Sequence, residues 1–268
     1  MSKWRPNSEK NIYVIPDVHG CADQLHLILD RITPLREQDK IVFLGDYCDR
    51  GPKSPEVLDI CISLNKKFNT KDRKIIFIRG NHDQLLLSIA GQTNLGFNPN
   101  LPSDYSTFIN NGGDVTIQQY AARKGVEIKN PKELRIDRAI SFIDTNHLDF
   151  LEEETETVAQ IDDYIFCHGG YDVYESIDKQ DNDILMWDRS LYSTVKKIIS
   201  EGKKLPWADK MTIVTGHNYD GPFVCSGFMM LDCSVSLNKL LVVELNSMEA
   251  FTAEMGHNRL VKYNLKEY

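Results

Sequence analysis

No stretch of the chain approaches the roughly 18 consecutive apolar residues that a membrane-spanning helix needs, so no membrane partner is expected. The opening MSKWRPNSEK has no apolar core of the kind a secretory signal requires, which leads to the expectation of a cytoplasmic location. Basic charge is not in excess either: 31 Lys and Arg stand against 39 Asp and Glu, a formal net charge of −8. Neutralising nucleic-acid phosphates takes a basic face, so no nucleic-acid partner is expected. Cys-x-x-Cys pairs are missing. Cys21, Cys48, Cys61, Cys167, Cys225 and Cys233 are scattered among apolar segments and read as buried free thiols, not as a disulfide framework. Internal repeats, low-complexity tracts and coiled-coil heptads are also lacking, which leads to the expectation of a monomer.

What is present is an ordinary globular composition, 41% apolar and 26% charged over 268 residues, enough to bury a sizeable core. No composition break marks a boundary, so 1–268 reads as a single domain. Short β-branched runs recur at IYVIP (12–16), KIVFLG (40–45), KIIFIRG (74–80), YIFCHG (164–169) and MTIVTGH (211–217). Runs this apolar predict strands buried on both faces. Leu25, Ile28, Leu29 and Ile32 recur at helical spacing after the first run. Ser54-Pro55-Glu56 reads as an N-cap, a proline at the first helical position and an early acid, opening a helix through Leu58, Cys61, Ile62 and Phe68. Strand, helix, strand, helix, strand is a βαβαβ plan and predicts an α/β core. Residues 84–92, 114–123 and about 132–151 read as helical, and 93–112 and 201–210 as loops. The tail from about 226 reads as antiparallel strands that close a sheet.

The chemistry is concentrated where the strands end. Asp17-Val18-His19-Gly20 follows the first, Gly45-Asp46-Tyr47-Cys48-Asp49-Arg50-Gly51 the second, and Gly80-Asn81-His82-Asp83 the third. His168-Gly169-Gly170 follows the fourth and Gly216-His217 the fifth. In open α/β sheets ligands bind beyond the carboxyl ends of the strands. Each segment alone is an ordinary turn. Together they form an oxygen- and nitrogen-rich, cysteine-poor set suited to divalent ions such as Mn, Fe or Zn.

DxHG, GDxxDRG, GNHD, HGG and GH, in that order, resemble the metallophosphoesterase superfamily, and GDYCDRG with RGNHD resembles its phosphoprotein phosphatase family. FINNGGDVTIQQY (108–120), the segment Gln180…Leu185-Met186-Trp187-Asp188-Arg189, and Leu231-Asp232 followed by LNKLLVVEL are similar to the bacterial and lambda-phage-like branch. The resemblance covers about 11–246. Pro16 stands where the family more often has Gly, and HGG where relatives often carry HAG. Asp232-Cys233-Ser234 departs from the usual Asp-Thr-Gly, so Asp232 is left outside the site.

The resemblance implies an α/β sandwich of the metallophosphoesterase type: central mixed sheets flanked by helices, with a dinuclear site at the strand ends. It implies that Asp17, His19 and Asp46 hold one divalent ion and that Asp46, Asn81, His168 and His217 hold a second, Mn before Fe or Zn. It further implies a metal-activated hydroxide attacking phosphorus in line. His82 would then be the general acid, oriented by Asp49, and Arg50 and Arg189 would grip the phosphoryl oxygens. The expected reaction is hydrolysis of a phosphomonoester, a phosphoprotein Ser, Thr or Tyr residue first. The same core allows symmetrical dinucleoside tetraphosphate hydrolysis or a small-molecule or nucleotide phosphatase; a non-catalytic metal-binding module would need a missing ligand, and none is missing. Substrate choice is assigned to 93–112, 171–184 and 218–228, with Tyr171 and Tyr174 as candidate groove residues. Arg79 reads as structural, His26, His147 and His257 as ordinary helix or surface residues, and Glu152-Glu153-Glu154-Thr155-Glu156 as a solvated helix end.

Overall fold

A computed structural model describes residues 10–70, 72–91, 102–233 and 239–268. The strands are β1 (Ile12–Ile15), β2 (Lys40–Phe43), β3 (Ile75–Phe77), β4 (Val158–Ile161), β5 (Tyr164–Cys167), β6 (Thr212–Thr215), β7 (Phe223–Cys225), β8 (Phe228–Met230), β9 (Lys239–Glu244), β10 (Glu249–Glu254) and β11 (Leu260–Tyr263). The α-helices are α1 (Ala22–Ile32), α2 (Ser54–Phe68), α3 (Asn81–Ala90), α4 (Pro102–Phe108), α5 (Asp114–Arg123), α6 (Ile136–Ile140), α7 (Thr145–Glu153), α8 (Asn182–Trp187) and α9 (Ser190–Ser200).

Two mixed sheets result, in the orders β11-β10-β9-β1-β2-β3 and β4-β5-β6-β8-β7. The expected βαβαβ unit is the parallel run β1, β2, β3, with Ile12 opposite Lys40 and Ile41 opposite Ile75. Side chains alternate between two cores, as a strand's period of two requires. Ile41, Phe43, Ile75 and Phe77 face α1, α2, α3 and α7. Val42, Leu44, Ile76 and Ile78 instead meet Ala159, Phe166, Val214 and Met229 of the second sheet. A third core packs Ile165, Ile213, Phe228 and Met230 under α8 and α9 with Leu185, Val195 and Trp207. The layers are therefore helix, sheet, sheet, helix, and the carboxyl ends of β1, β2, β3, β5 and β6 share one rim.

Several local expectations are corrected. Lys53, not Ser54, is the N-cap residue of α2, because the Ser54 hydroxyl is taken by the Asp49 amide at 3.1 Å. The helical reading of 132–151 splits into a 3-10 turn at Pro131–Glu133, α6 and α7. Strand β4 is absent from the sequence reading because it is only four residues long and Gln160 interrupts its apolar run, VAQI. Of the loop read at 93–112, positions 93–101 lie outside the described residues, and from 102 the chain is helical, in α4 and a π turn at Ile109–Gly113. In the tail, β9 to β11 are antiparallel as expected, but β8 pairs parallel with β6. Among the described residues no helix is long and apolar enough to cross a membrane.

Candidate metal centre

Each loop at the shared rim is locked by a buried hydrogen bond. Asp83, in the first turn of α3, accepts the amides of Asp46 and Gly80 on Oδ2 (2.8 and 2.9 Å) and that of Tyr47 on Oδ1 (2.9 Å). One carboxylate thus ties the loop after β2 to the start of α3. The two approach so closely that a Cβ on Gly80 would overlap Asp46. Burial and the nearby Asp46 push the Asp83 carboxyl up to about 7. On the far side, Asp17 Oδ1 and Oδ2 accept the amide of His217 at 3.1 and 3.2 Å, and a Cβ on Gly216 would overlap Oδ1. The backbone itself is bent to the purpose. Seven described non-glycine residues adopt positive φ, and five are His19 (41°), Asp46 (51°), Asp49 (70°), Arg50 (65°) and His217 (68°). Outliers clustered in this way mark functional turns.

Asp46 is the hub. Its Oδ2 lies 3.4 Å from His19 Nε2, 3.4 Å from His168 Nε2 and 3.9 Å from His82 Nε2. Two groups able to hold a metal ion share it: His19, Asp46 and His82, and Asp46, His168 and His217, all buried. The resemblance had placed Asp17 in the first group. Among the described residues His82 lies within reach of that group through Nε2, and Asp17, buried at the same rim, holds the His217 amide. Asn81 adjoins the second group, its Oδ1 3.0 Å from His168 Nε2.

Three of the histidine rings are anchored through one nitrogen, which leaves the other available as a ligand atom. His19 Nδ1–H donates to the Cys48 carbonyl at 2.8 Å and His168 Nδ1–H to Leu44 at 2.7 Å. His217 Nε2–H donates to Trp187 at 3.2 Å. Burial pushes His19 down to about 3 and His217 down to about 2, so both are neutral imidazoles with a lone pair to give. Burial opposes the charged forms of Asp46 and His168 too, but their mutual attraction wins. It carries Asp46 well below the usual carboxylate range and His168 up to about 10. Asp17 goes the other way, raised by burial and then by Asp232. Carboxylates crowded in the interior, with neutral imidazoles turned toward them, are what a cation would relieve. The donor set therefore fits divalent metal ions.

His82 is held differently. Its Nδ1 meets Asp49 Oδ2 at 2.8 Å, and the other Asp49 oxygen accepts the Thr116 hydroxyl at 2.7 Å. Asn81 and His82 are the first two residues of α3, not a turn before it, so their side chains diverge around the helix and serve different neighbours. Arg50 Nη1 donates to His19 Nε2 at 2.8 Å. Among the described residues Arg189, at the start of α9, forms no ion pair with an acid. Its Nη1 donates to the His217 carbonyl at 2.8 Å.

Two residues at this rim, Thr116 and Asp83, are given no role by the sequence, and Asp232, left outside the site on its motif, lies there too. Asp232 follows β8, which also runs parallel beside β6, so a sixth strand end was the available signal. It is 1% exposed. Other expectations need correction. His147 is fully buried between Tyr120 (2.7 Å) and Asp59 (2.9 Å). Within 152–156 only Glu153 and Glu154 are exposed. Glu152 meets Arg79 at 3.3 Å, Thr155 is buried, and Glu156 meets Arg73 at 3.1 Å. Arg79 is structural, as expected, and donates to the carbonyls of Leu151 and Glu152. Tyr171 is buried against the third core and, with the 89% exposed Tyr174, lines a surface pocket beside α8 and α9.

The model of the calcineurin-like phosphoesterase family matches residues 10–229. A symmetrical bis(5'-nucleosyl)-tetraphosphatase of Hamiltonella defensa is 36% identical over 103 residues, 38% of this chain and 34% of that protein. The chain thus matches about a third of that relative's length. A protein serine/threonine phosphatase from Saccharomyces cerevisiae superposes with a TM-score of 0.53 at 16% identity, covering 98% of this chain and 83% of that one. A variant of a cold-active protein tyrosine phosphatase gives 0.51 at 15% identity, covering 97% and 83%. At these identities the two structures speak for the fold alone. Sheet order, strand-end loops and the family match agree: the chain belongs to the calcineurin-like phosphoesterase family.

Proposed function

We propose that this phosphoesterase hydrolyses phosphomonoesters, phosphorylated protein side chains first, with two divalent ions held by Asp17, His19, Asp46, Asn81, His168 and His217. The observation that carries the reading is His82. Its Nδ1 is fixed on Asp49, and its Nε2 is turned toward the Asp46 carboxylate shared by the two candidate metal groups. The ions would supply Lewis acidity there: positive charge against the phosphoryl oxygens and a lowered pKa for water. The chain's own residues do the rest. Arg50 and Arg189 bind the phosphoryl oxygens and orient the ester. His82 Nε2 delivers a proton to the departing oxygen, and Asp49 stabilises the ring that does so. Manganese is the metal to load first.

A second reading, symmetrical hydrolysis of dinucleoside tetraphosphates, is favoured by the Hamiltonella defensa match. The deciding experiment is kcat/KM for a phosphopeptide and for diadenosine tetraphosphate on one manganese-loaded preparation. Preference for the peptide supports the first reading. Preference for the dinucleotide establishes the second, and no turnover of either or of p-nitrophenyl phosphate overturns both.

A further inference from the structure

Tyr219, two residues beyond His217, stands between the two arginines. Its hydroxyl accepts Nη2–H of Arg50 at 3.2 Å and Nη2–H of Arg189 at 3.1 Å. Its ring also lies beneath both cations, 4.6 Å from Arg189 Cζ and 5.4 Å from Arg50 Cζ. Two like charges are thereby gathered around one neutral oxygen. A carboxylate in this place would gather them too, but it would neutralise the field a phosphoryl dianion needs. A phenol gathers them and leaves the charge unspent. The second tie on Arg50 runs to His19 Nε2, an atom of the candidate metal centre. When a ligand takes that nitrogen, Tyr219 is the contact that keeps Arg50 beside Arg189.

We propose that Tyr219 is a positioning residue that holds Arg50 and Arg189 together as one clamp for the phosphoryl group. The proposal rests on the phosphatase reading above. It concerns the loop after β6, to which no role beyond substrate choice was assigned. Tyr219 is 43% exposed, so its replacement leaves the core intact.

The test uses the manganese-loaded protein, p-nitrophenyl phosphate as substrate and inorganic phosphate as the binding probe. Tyr219→Phe keeps the ring and removes the oxygen. It should raise both KM and the phosphate inhibition constant about 3- to 10-fold, the effect of one or two lost hydrogen bonds, with kcat nearly unchanged. Tyr219→Leu removes the ring as well and should raise both further. In an Arg50→Ala/Arg189→Ala background the phenylalanine substitution should have no additional effect, because nothing is left to position. Unchanged KM and phosphate affinity in Tyr219→Phe would overturn the proposal. So would a fall in kcat alone, which marks an interaction made only in the transition state and not a clamp that already holds the bound phosphoryl group. An undiminished effect in the doubly substituted background would overturn it as well, since Tyr219 would then bind phosphate itself. If the unsubstituted protein turns over no phosphoester, the phosphatase reading has failed separately. Calorimetric phosphate affinities of the same variants then decide whether the clamp exists.

Discussion

His82 Nδ1 and Asp49 Oδ2 lie 2.8 Å apart in the interior, and the second Asp49 oxygen is closed off by the hydroxyl of Thr116 at 2.7 Å. An imidazole held through one nitrogen can present only the other to a substrate. His82→Asn should therefore retain its metal and lose about 10²- to 10⁴-fold in kcat on a phosphoserine peptide, the span of general acid catalysis. The loss should be much smaller on p-nitrophenyl phosphate, whose leaving group needs no proton. Equal losses on both substrates would remove His82 from the role of acid.

Thr116 belongs to α5 and touches no candidate ligand. It bonds the Asp49 carboxylate and also accepts the Asp49 amide at 3.0 Å. Thr116→Val keeps the shape and removes both bonds. A drop in kcat of about tenfold, corresponding to ~1.4 kcal/mol, is expected, with metal content unchanged. Steady-state kinetics beside elemental analysis decides this. Loss of metal in the variant would show that Thr116 supports the centre as a whole.

Asp46 is common to both candidate metal groups, so its replacement should empty the centre instead of halving it. Chelation should abolish turnover and lower the melting temperature of the native protein. Manganese at about 100 times its dissociation constant should restore ~2.7 kcal/mol of stability by linkage. Asp46→Asn should melt at one temperature with and without metal. A persisting metal-dependent shift in that variant would count against the shared carboxylate.

His147 makes the opposite prediction. It is wholly buried and bonds Tyr120 and Asp59, neither of them a candidate ligand. His147→Ala leaves a cavity and a buried phenol without its partner, at a cost of about 2–4 kcal/mol. Urea denaturation should register that loss, while kcat/KM below the transition stays at the level of the unsubstituted protein.

All six cysteines are buried and free. Burial pushes Cys21 and Cys225 up to about 11 and raises Cys48, Cys61, Cys167 and Cys233 as well. The thiolate is the reactive form. At pH 8 the native protein should leave a disulfide-exchange reagent untouched, and denaturant should release all six thiols. Rapid labelling of the native protein would contradict the described burial.

The strand ends were legible because each pairs an apolar β-branched run with a glycine turn and a metal-ligating residue. That signal places Asp46, His82, His168 and His217 on one rim from sequence alone. Thr116 was not legible. A threonine inside a helix looks the same whether it faces solvent or a buried carboxylate 67 positions away in sequence. Asp232 was set aside on a departure from the family pattern, although its place after β8 puts it on the same rim. His147 misled because a lone histidine on a helix says nothing about which face the helix buries. Strand β4 is not legible because it is a four-residue edge strand of the second sheet whose apolar run is broken by the exposed Gln160.

The positive φ of His19, Asp46, Asp49, Arg50 and His217 sets folding against chemistry at five places. An L-residue held in the left-handed region costs roughly 1 kcal/mol relative to glycine, which goes there freely. Glycine would relieve that strain, but at His19, Asp46, Asp49 and His217 it would also empty a buried, hydrogen-bonded position, which costs more than the strain it relieves. The rim is thus a set of bent turns held open by the side chains they present, so the strain and the contacts that offset it sit in the same five residues.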